Sequence, residues 1–284
     1  MNEQPTTRSG APAGQRTERR FHSFVALGDS TTEGMDDPTP TGGYRGWADR
    51  LADRLATMVP DFRYANLAVR GRYAAQVRAE QLAPALALRP DLISVIAGVN
   101  DLLRARCDLA ELIGHLDAMY AASAATGATV LTITQPDPVA VPRMAKPVQR
   151  RLYAYNEELR ASAARHGVLV VDFARMPAAT HPLFWSVDRL HLNSLGHTRM
   201  AATIAGALGL PPVVGDPGVG EGSELPSPPV PTRREALTRD VTWLGEYFAP
   251  WLWRHVRGRS SGDGLVAKRP ELTALTWQSE DAAS

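Results

Sequence analysis

Phe24-Val25-Ala26-Leu27-Gly28-Asp29-Ser30-Thr31-Thr32-Glu33-Gly34 is the stretch on which the reading of this chain turns. Phe24 to Leu27 is a short apolar run of the kind that forms a buried strand. It stops at Gly28-Asp29-Ser30, a small polar turn that cannot extend the strand comfortably. A serine at that point lies at the carboxyl end of a buried strand. Open α/β sheets build their sites there, so the position suits a nucleophile. Alone, Gly-Asp-Ser is most often just a turn, and the rest of the chain must decide.

Working outward, strands and helices alternate from Phe21 onward. Trp47, Leu51, Leu55 and Met58 recur at helical spacing after a Gly/Pro-rich loop from Asp36 to Gly46. Residues 62–69 read as a second strand and 73–87 as a helix. Residues 91–97 are β-branched and almost continuously apolar, the strongest strand signal in the chain, ending at Gly98-Val99-Asn100-Asp101. A helix over 109–125, a strand over 128–134, a proline-rich loop over 135–147, a helix over 148–166 and a strand over 167–172 follow. A loop to Leu192 leads to a helix capped by Asn193 or Ser194 and running to about Leu208. Apolar strands separated by helices imply right-handed crossovers and a parallel sheet. The expected fold is α/β: a three-layer α/β/α sandwich with a five-stranded parallel sheet over residues 21–210.

Residues 1–20 read as a disordered N-terminus, 211–231 as a Pro/Gly-rich linker and 258–284 as a flexible tail. Between the last two, Thr232 and Glu235 match a capping box that opens an amphipathic C-terminal helix over 232–257. Its expected apolar face is Leu237, Val241, Leu244, Phe248, Trp251 and Leu252, widened by Trp243, Tyr247 and Trp253. That face either docks on the sandwich or, with Arg233, Arg234, Arg239 and Arg254 beside it, meets a partner or a membrane surface. Docking is the expected outcome, because amphipathic helices usually bury their stripe against their own domain.

With 44% hydrophobic and 21% charged residues the composition is that of an ordinary globular chain. The net charge of +1 gives no electrostatic case for a nucleic-acid partner. Cys107 is the single cysteine, so neither an intrachain disulfide nor a cysteine-based metal cluster can form. Residues 1–20 hold no apolar core of a secretory signal, and no run reaches membrane-spanning length. A cytoplasmic location is the expectation.

Three strand ends carry polar or backbone-exposing residues: Ser30, Gly71 and Asn100. A fourth element, Asp188-Arg189-Leu190-His191, precedes the last helix. Acyl transfer needs a nucleophile, a base, a group that orients the base, and donors for the developing oxyanion. Ser30 can be the nucleophile, His191 its base and Asp188 the orienting carboxylate. The backbone N–H of Ser30, the backbone N–H of Gly71 and the side-chain amide of Asn100 can form the oxyanion hole. Gly71 lacks a Cβ, so a substrate can come close to its amide.

These blocks, Gly28-Asp29-Ser30, Asn66-Leu67-Ala68-Val69-Arg70-Gly71, Gly98-Val99-Asn100-Asp101 and Asp188-Arg189-Leu190-His191, resemble those of the SGNH or GDSL-type esterases and lipases. All four occur in the family's order across residues 22–197. The resemblance implies a flavodoxin-like sandwich and the same roles for the matching Ser, Gly, Asn, His and Asp. The substrate it implies is a carboxylic ester of a lipid, a small molecule or an acetylated sugar; no cofactor is expected, and no metal, since no His/Cys/Asp cluster has metal-ligand spacing and the serine route needs none. Arg70 and Arg72 flank the oxyanion glycine where smaller residues are expected, and the C-terminal residues lie outside the family's core. A catalytically degenerate member binding an acyl or sugar ligand is the alternative, and the full set of catalytic residues argues against it.

Other residues have plainer readings. Asp29 and Asp101 are expected to satisfy turn amides. His197 reads as a helix-surface or core residue, and His22, His115, His166, His181 and His255 as surface positions. Gly258-Arg259-Ser260-Ser261-Gly262 fits the Gly-x-Ser-x-Gly pattern of a nucleophile elbow, but no apolar strand precedes it and no Asp-then-His pair follows.

Overall fold

The first strand, β1 (Ser23–Gly28), is buried at every position, because it lies at the middle of a sheet covered on both faces. The computed structural model describes residues 21–137, 146–212, 225, 232–248 and 261–275. The remaining strands are β2 (Arg63–Asn66), β3 (Leu92–Ile96), β4 (Thr129–Ile133), β5 (Leu169–Val171) and β6 (Arg269–Ala274). They lie in the order β5-β4-β3-β1-β2-β6. β1 to β5 are mutually parallel, with Val25 beside both Ala65 and Ile93.

The helices are α1 (Ser30–Glu33), α2 (Gly46–Met58), α3 (Ala74–Val77), α4 (Ala83–Ala87), α5 (Val99–Leu102), α6 (Leu109–Ala124), α7 (Lys146–Arg165), α8 (Ser194–Ala207) and α9 (Arg233–Trp243). A π-helical turn, Arg78–Leu82, joins α3 to α4. Side chains alternate across the strands, and two cores result. Val25, Leu27, Ile93 and Val95 pack with Leu116 and Tyr120 of α6 and Tyr155 of α7. Phe24, Ala26, Leu92 and Ile96 pack with Trp47 and Leu51 of α2 and Ile204 of α8. Each fully buried large apolar side chain contributes about 1.5–3 kcal/mol relative to exposure. That double coverage explains why β1 and β3 are apolar without alternation.

The sheet has six strands where five were expected. The sixth, β6, falls in the stretch read as a flexible tail, and it pairs antiparallel with β2 through Tyr64 and Thr273. Its local signal is weak for a physical reason. Only Leu272 of its six residues is buried, and Pro270 is tolerated because the strand lies at a sheet edge. The Arg63 guanidinium donates to the Leu272 carbonyl across the pair.

Thr232 and Glu235 form the reciprocal capping box at the start of α9. Of the expected apolar face, Leu237 is 66% and Val241 61% exposed, whereas Trp243, expected to widen it, is 5% exposed. Trp251, Leu252, Trp253 and Arg254, most of the linker and residues 1–20 lie outside the described residues. Among the described residues no helix is long and apolar enough to cross a membrane.

Candidate active site

The chain passes from β1 to β2 on one side and then crosses to β3 on the other. The crevice at such a reversal lies at the carboxyl ends of the strands. Ser30 follows β1, Gly71 follows β2 and Asn100 follows β3, so the topology alone gathers three of the candidate residues.

Local chemistry fixes the Gly28-Asp29-Ser30 turn. Gly28 has φ of +153°, and a Cβ there would lie 2.3 Å from the Ile96 carbonyl oxygen. Only glycine fits such a site. Gln81, buried within the π turn, accepts from the Gly28 N–H and donates to the Gly28 carbonyl. Asp29 caps α1 by accepting from the Thr31 N–H, as its turn reading expected. Burial pushes its carboxyl pKa up to about 6. Ser30 is the first residue of α1, and first-turn amides have no intrahelical partner.

His191 comes to Ser30 from the loop before α8. Its Nε2 lies 2.9 Å from Ser30 Oγ and its Nδ1 2.5 Å from Asp188 Oδ2. A carboxylate can only accept, so Nδ1 carries the proton and Nε2 is left to accept from the serine hydroxyl. The other oxygen, Asp188 Oδ1, accepts from the N–H groups of Leu190 and His191, so Oδ2 is held facing the imidazole. Burial penalises the Asp188 charge, but the His191 contacts and the two amides outweigh it and hold the carboxyl below its ordinary range. Burial likewise pulls the His191 pKa down, yet the hydrogen bond and charge of Asp188 outweigh it and the net shift is upward.

Asn100 is hydrogen-bonded to the chain neighbours of Ser30 and Gly71. Its amide donates to Asp29 Oδ2 at 3.2 Å and to the Arg72 carbonyl at 3.1 Å. Gly98, which opens its turn, has φ of +116°, and a Cβ there would lie 2.9 Å from the Tyr155 ring. Asp101 accepts from the Ala74 N–H, a turn role as expected. Gly71 has φ of +72°.

The two arginines that flank it, unexpected in size, anchor its loop. Arg70 pairs with Glu33 and lies over the Tyr44 ring. Arg72 lies 2.8 Å from Glu80 and 3.8 Å from Asp263. Arg-carboxylate pairing at such a turn replaces the smaller side chains with an ionic tether.

His197 is in the core. Its Nδ1 accepts from the Trp47 N–H and its Nε2 donates to the Met35 carbonyl. Burial lowers its pKa to about 4, so it ties α8 to α2 and to the loop after α1 as a neutral group. Sequence reasoning missed four groups near the site: Gln81, Trp243, Lys268 and Asp36. Gln81 had a signal, a polar residue on the inner face of a helix. Asp36, Asp188 and His191 offer ligand atoms within 4.8 Å of one another, the one such group among the described residues that could approach a metal ion.

A cavity of about 660 Å³ opens beside these residues. Thr31 next to Ser30, Val99 next to Asn100, and Leu190 and Leu192 on either side of His191 line it. Phe173, Met176, Phe184 and Met200 make its wall apolar, and Arg175 and Arg199 supply charge. Such a cavity can hold a mainly apolar ligand.

The GDSL-like lipase/acylhydrolase family matches the chain over residues 26–199. No curated protein matches it. Among solved structures, LAE5, an alpha/beta hydrolase enzyme from the metagenome of Lake Arreo, Spain, is similar at 24% identity and a TM-score of 0.55, covering 66% of this chain and 95% of its own. TesA is similar at 24% identity and 0.55, covering 66% and 97%. A variant of Axe2, an acetyl xylan esterase from Geobacillus stearothermophilus, is similar at 18% identity and 0.56, covering 68% and 96%. These likenesses establish the fold.

Proposed function

We propose that this chain, which belongs to the GDSL-like lipase/acylhydrolase family, hydrolyses carboxylic esters through Ser30, His191 and Asp188. Ser30 Oγ attacks the ester carbonyl while His191 Nε2 takes its proton. Asp188 holds the imidazole in the required tautomer and stabilises the imidazolium. The oxyanion of the tetrahedral intermediate is held by the N–H groups of Ser30 and Gly71 and by the Asn100 amide, which exchanges its bond to Asp29 Oδ2 or to the Arg72 carbonyl for one to the oxyanion. The alcohol leaves with the proton from His191, and an acyl-serine remains. Water, deprotonated by His191, then releases the acid and restores Ser30. The observation that carries this reading is the continuous line from Ser30 Oγ through His191 to Asp188 Oδ2, with both bonds within hydrogen-bond reach.

The cavity beside the serine supports esters with an apolar acyl or alcohol part. A panel of p-nitrophenyl esters on the purified protein tests both statements. Turnover is expected, rising from acetyl through butyryl to octanoyl. Absence of turnover on every ester, or turnover that Ser30→Ala leaves intact, would overturn the reading.

A further inference from the structure

Both loops of the site are gripped by residues beyond the 26–199 match. On the acid side, the Trp243 indole N–H donates to the Asp188 backbone carbonyl at 2.7 Å. The next residue, Arg189, has φ of +60°, a conformation that a side chain with a Cβ resists. Arg189 lies 2.7 Å from Asp240 of α9, and its guanidinium sits 5.5 Å from the Trp243 ring centre. On the oxyanion side, Gly262 packs so closely that a Cβ would lie 2.0 Å from the Arg70 carbonyl oxygen. Asp263 approaches Arg72. Lys268 Nζ reaches the carbonyls of Glu33, Tyr44 and Arg45 and the Asp49 carboxylate, which joins β6 to the end of the short helix that carries Ser30.

We infer that two described segments beyond the family match, 232–248 and 261–275, form a two-point brace of the active site, with Trp243 a positioning residue for the Asp188–His191 pair and the Gly262–Lys268 segment a positioning element for the oxyanion loop. The inference rests on the catalytic reading above. The mechanical link on the acid side is short. The carbonyl that Trp243 holds and the carboxylate that faces Nδ1 belong to one residue, so a shift of the Asp188 backbone displaces Oδ2 relative to Nδ1. Strained backbone persists only where surroundings over-determine it, and Trp243 with Asp240 supplies that constraint at Arg189. Misplacement of a catalytic group by about 1 Å can cost on the order of 10²-fold in rate.

Trp243→Phe keeps an aromatic ring beside Arg189 and removes the N–H together with the pyrrole half of the indole. We expect kcat to fall about tenfold, a part of the misplacement cost, with KM within about twofold. The acid limb of the kcat/KM profile should move to lower pH as His191 loses part of its Asp188 contact; Asp188, Asp36 and Asp29 are the carboxyls that act on it. Asp240→Asn, a nearly isosteric change at a half-buried helix position, should shift the same limb in the same direction by less. Gly262→Ala should lower kcat through the Arg70 backbone and leave that limb in place.

His191 is also followed by NMR, through its titration and its downfield Nδ1–H signal, which need no turnover. If the wild type hydrolyses no ester, the catalytic reading fails and the NMR comparison still judges the brace. A lower His191 titration midpoint in Trp243→Phe supports it. An unchanged midpoint and unchanged Nδ1–H signal, or a kcat loss matched by an equal KM change, overturns it.

Discussion

The region from residue 26 to 199 and the segments after it meet at one site by different means. The first supplies side chains whose chemistry is local: a serine after a buried strand, an asparagine after another, a histidine three residues after its carboxylate. The second supplies contacts to backbone atoms, Trp243 on the Asp188 carbonyl and Lys268 on the Glu33 carbonyl. The difference teaches that reactive groups and the groups that hold them in register answer to separate constraints. A nucleophile must be one residue type at one point. A brace needs only a donor of the right reach, from any part of the chain.

The comparison breaks most sharply if the two regions contribute alike to rate. Ser30→Ala should lower kcat by about 10⁴-fold or more, since triad members act as a unit, with circular dichroism and melting temperature retained. Asn100→Ala should lower kcat by roughly 10²- to 10³-fold with little change in KM, because the oxyanion exists only near the transition state. A loss confined to KM would recast Asn100 as a ground-state binding residue. Both effects should exceed that of Trp243→Phe. A brace variant as damaging as Ser30→Ala would erase the distinction.

Two pH effects sharpen it further, with opposite signs. His191 must be neutral to act as base, and its pKa is raised. The acid limb of kcat/KM should therefore fall above the ordinary histidine value of about 6.5. Its contribution to stability is present below the unfolded pKa and is lost as pH rises through the folded one. His197 behaves in reverse. Its folded pKa of about 4 lies below the unfolded value, so its contribution is full above about pH 6.5 and is lost as pH falls toward 4. The loss is on the order of 3 kcal/mol at most. Urea unfolding at about pH 8 and about pH 5 should show it. His197→Gln should be the less stable protein at the higher pH and lose less on acidification. Equal pH dependence of the two proteins would remove His197 from the account.

The smallest expected effect is none: EDTA should leave turnover unchanged. His191 Nδ1, one member of the Asp36–Asp188–His191 group, is committed to Asp188. Loss on chelation, with recovery on adding zinc, would assign that group a metal and replace the serine route.

What was legible in the sequence follows the same division. β1 and β3 were legible because burial on both faces makes them continuously apolar. The positions of Ser30, Gly71 and Asn100 were legible because each lies within five residues after a strand. β6 was not, since an edge strand with one buried side chain carries almost no periodic signal. The buried side of α9 was also misread: Leu237 and Val241 formed the better helical stripe, yet Trp243 is the residue that found a partner. Its partner is a backbone carbonyl 55 positions away, and no local pattern encodes such a contact. The roles of Arg70 and Arg72 were hidden likewise, because Glu33 and Asp263 are distant in sequence.

The most direct test of the central claim is covalent labelling of the full-length wild-type protein with a fluorophosphonate, followed by peptide mass mapping. The account expects one adduct, on Ser30, formed slowly when His191 is protonated and absent in Ser30→Ala. An adduct on another serine, Ser260 included, or no adduct on a protein that still hydrolyses esters, would contradict it.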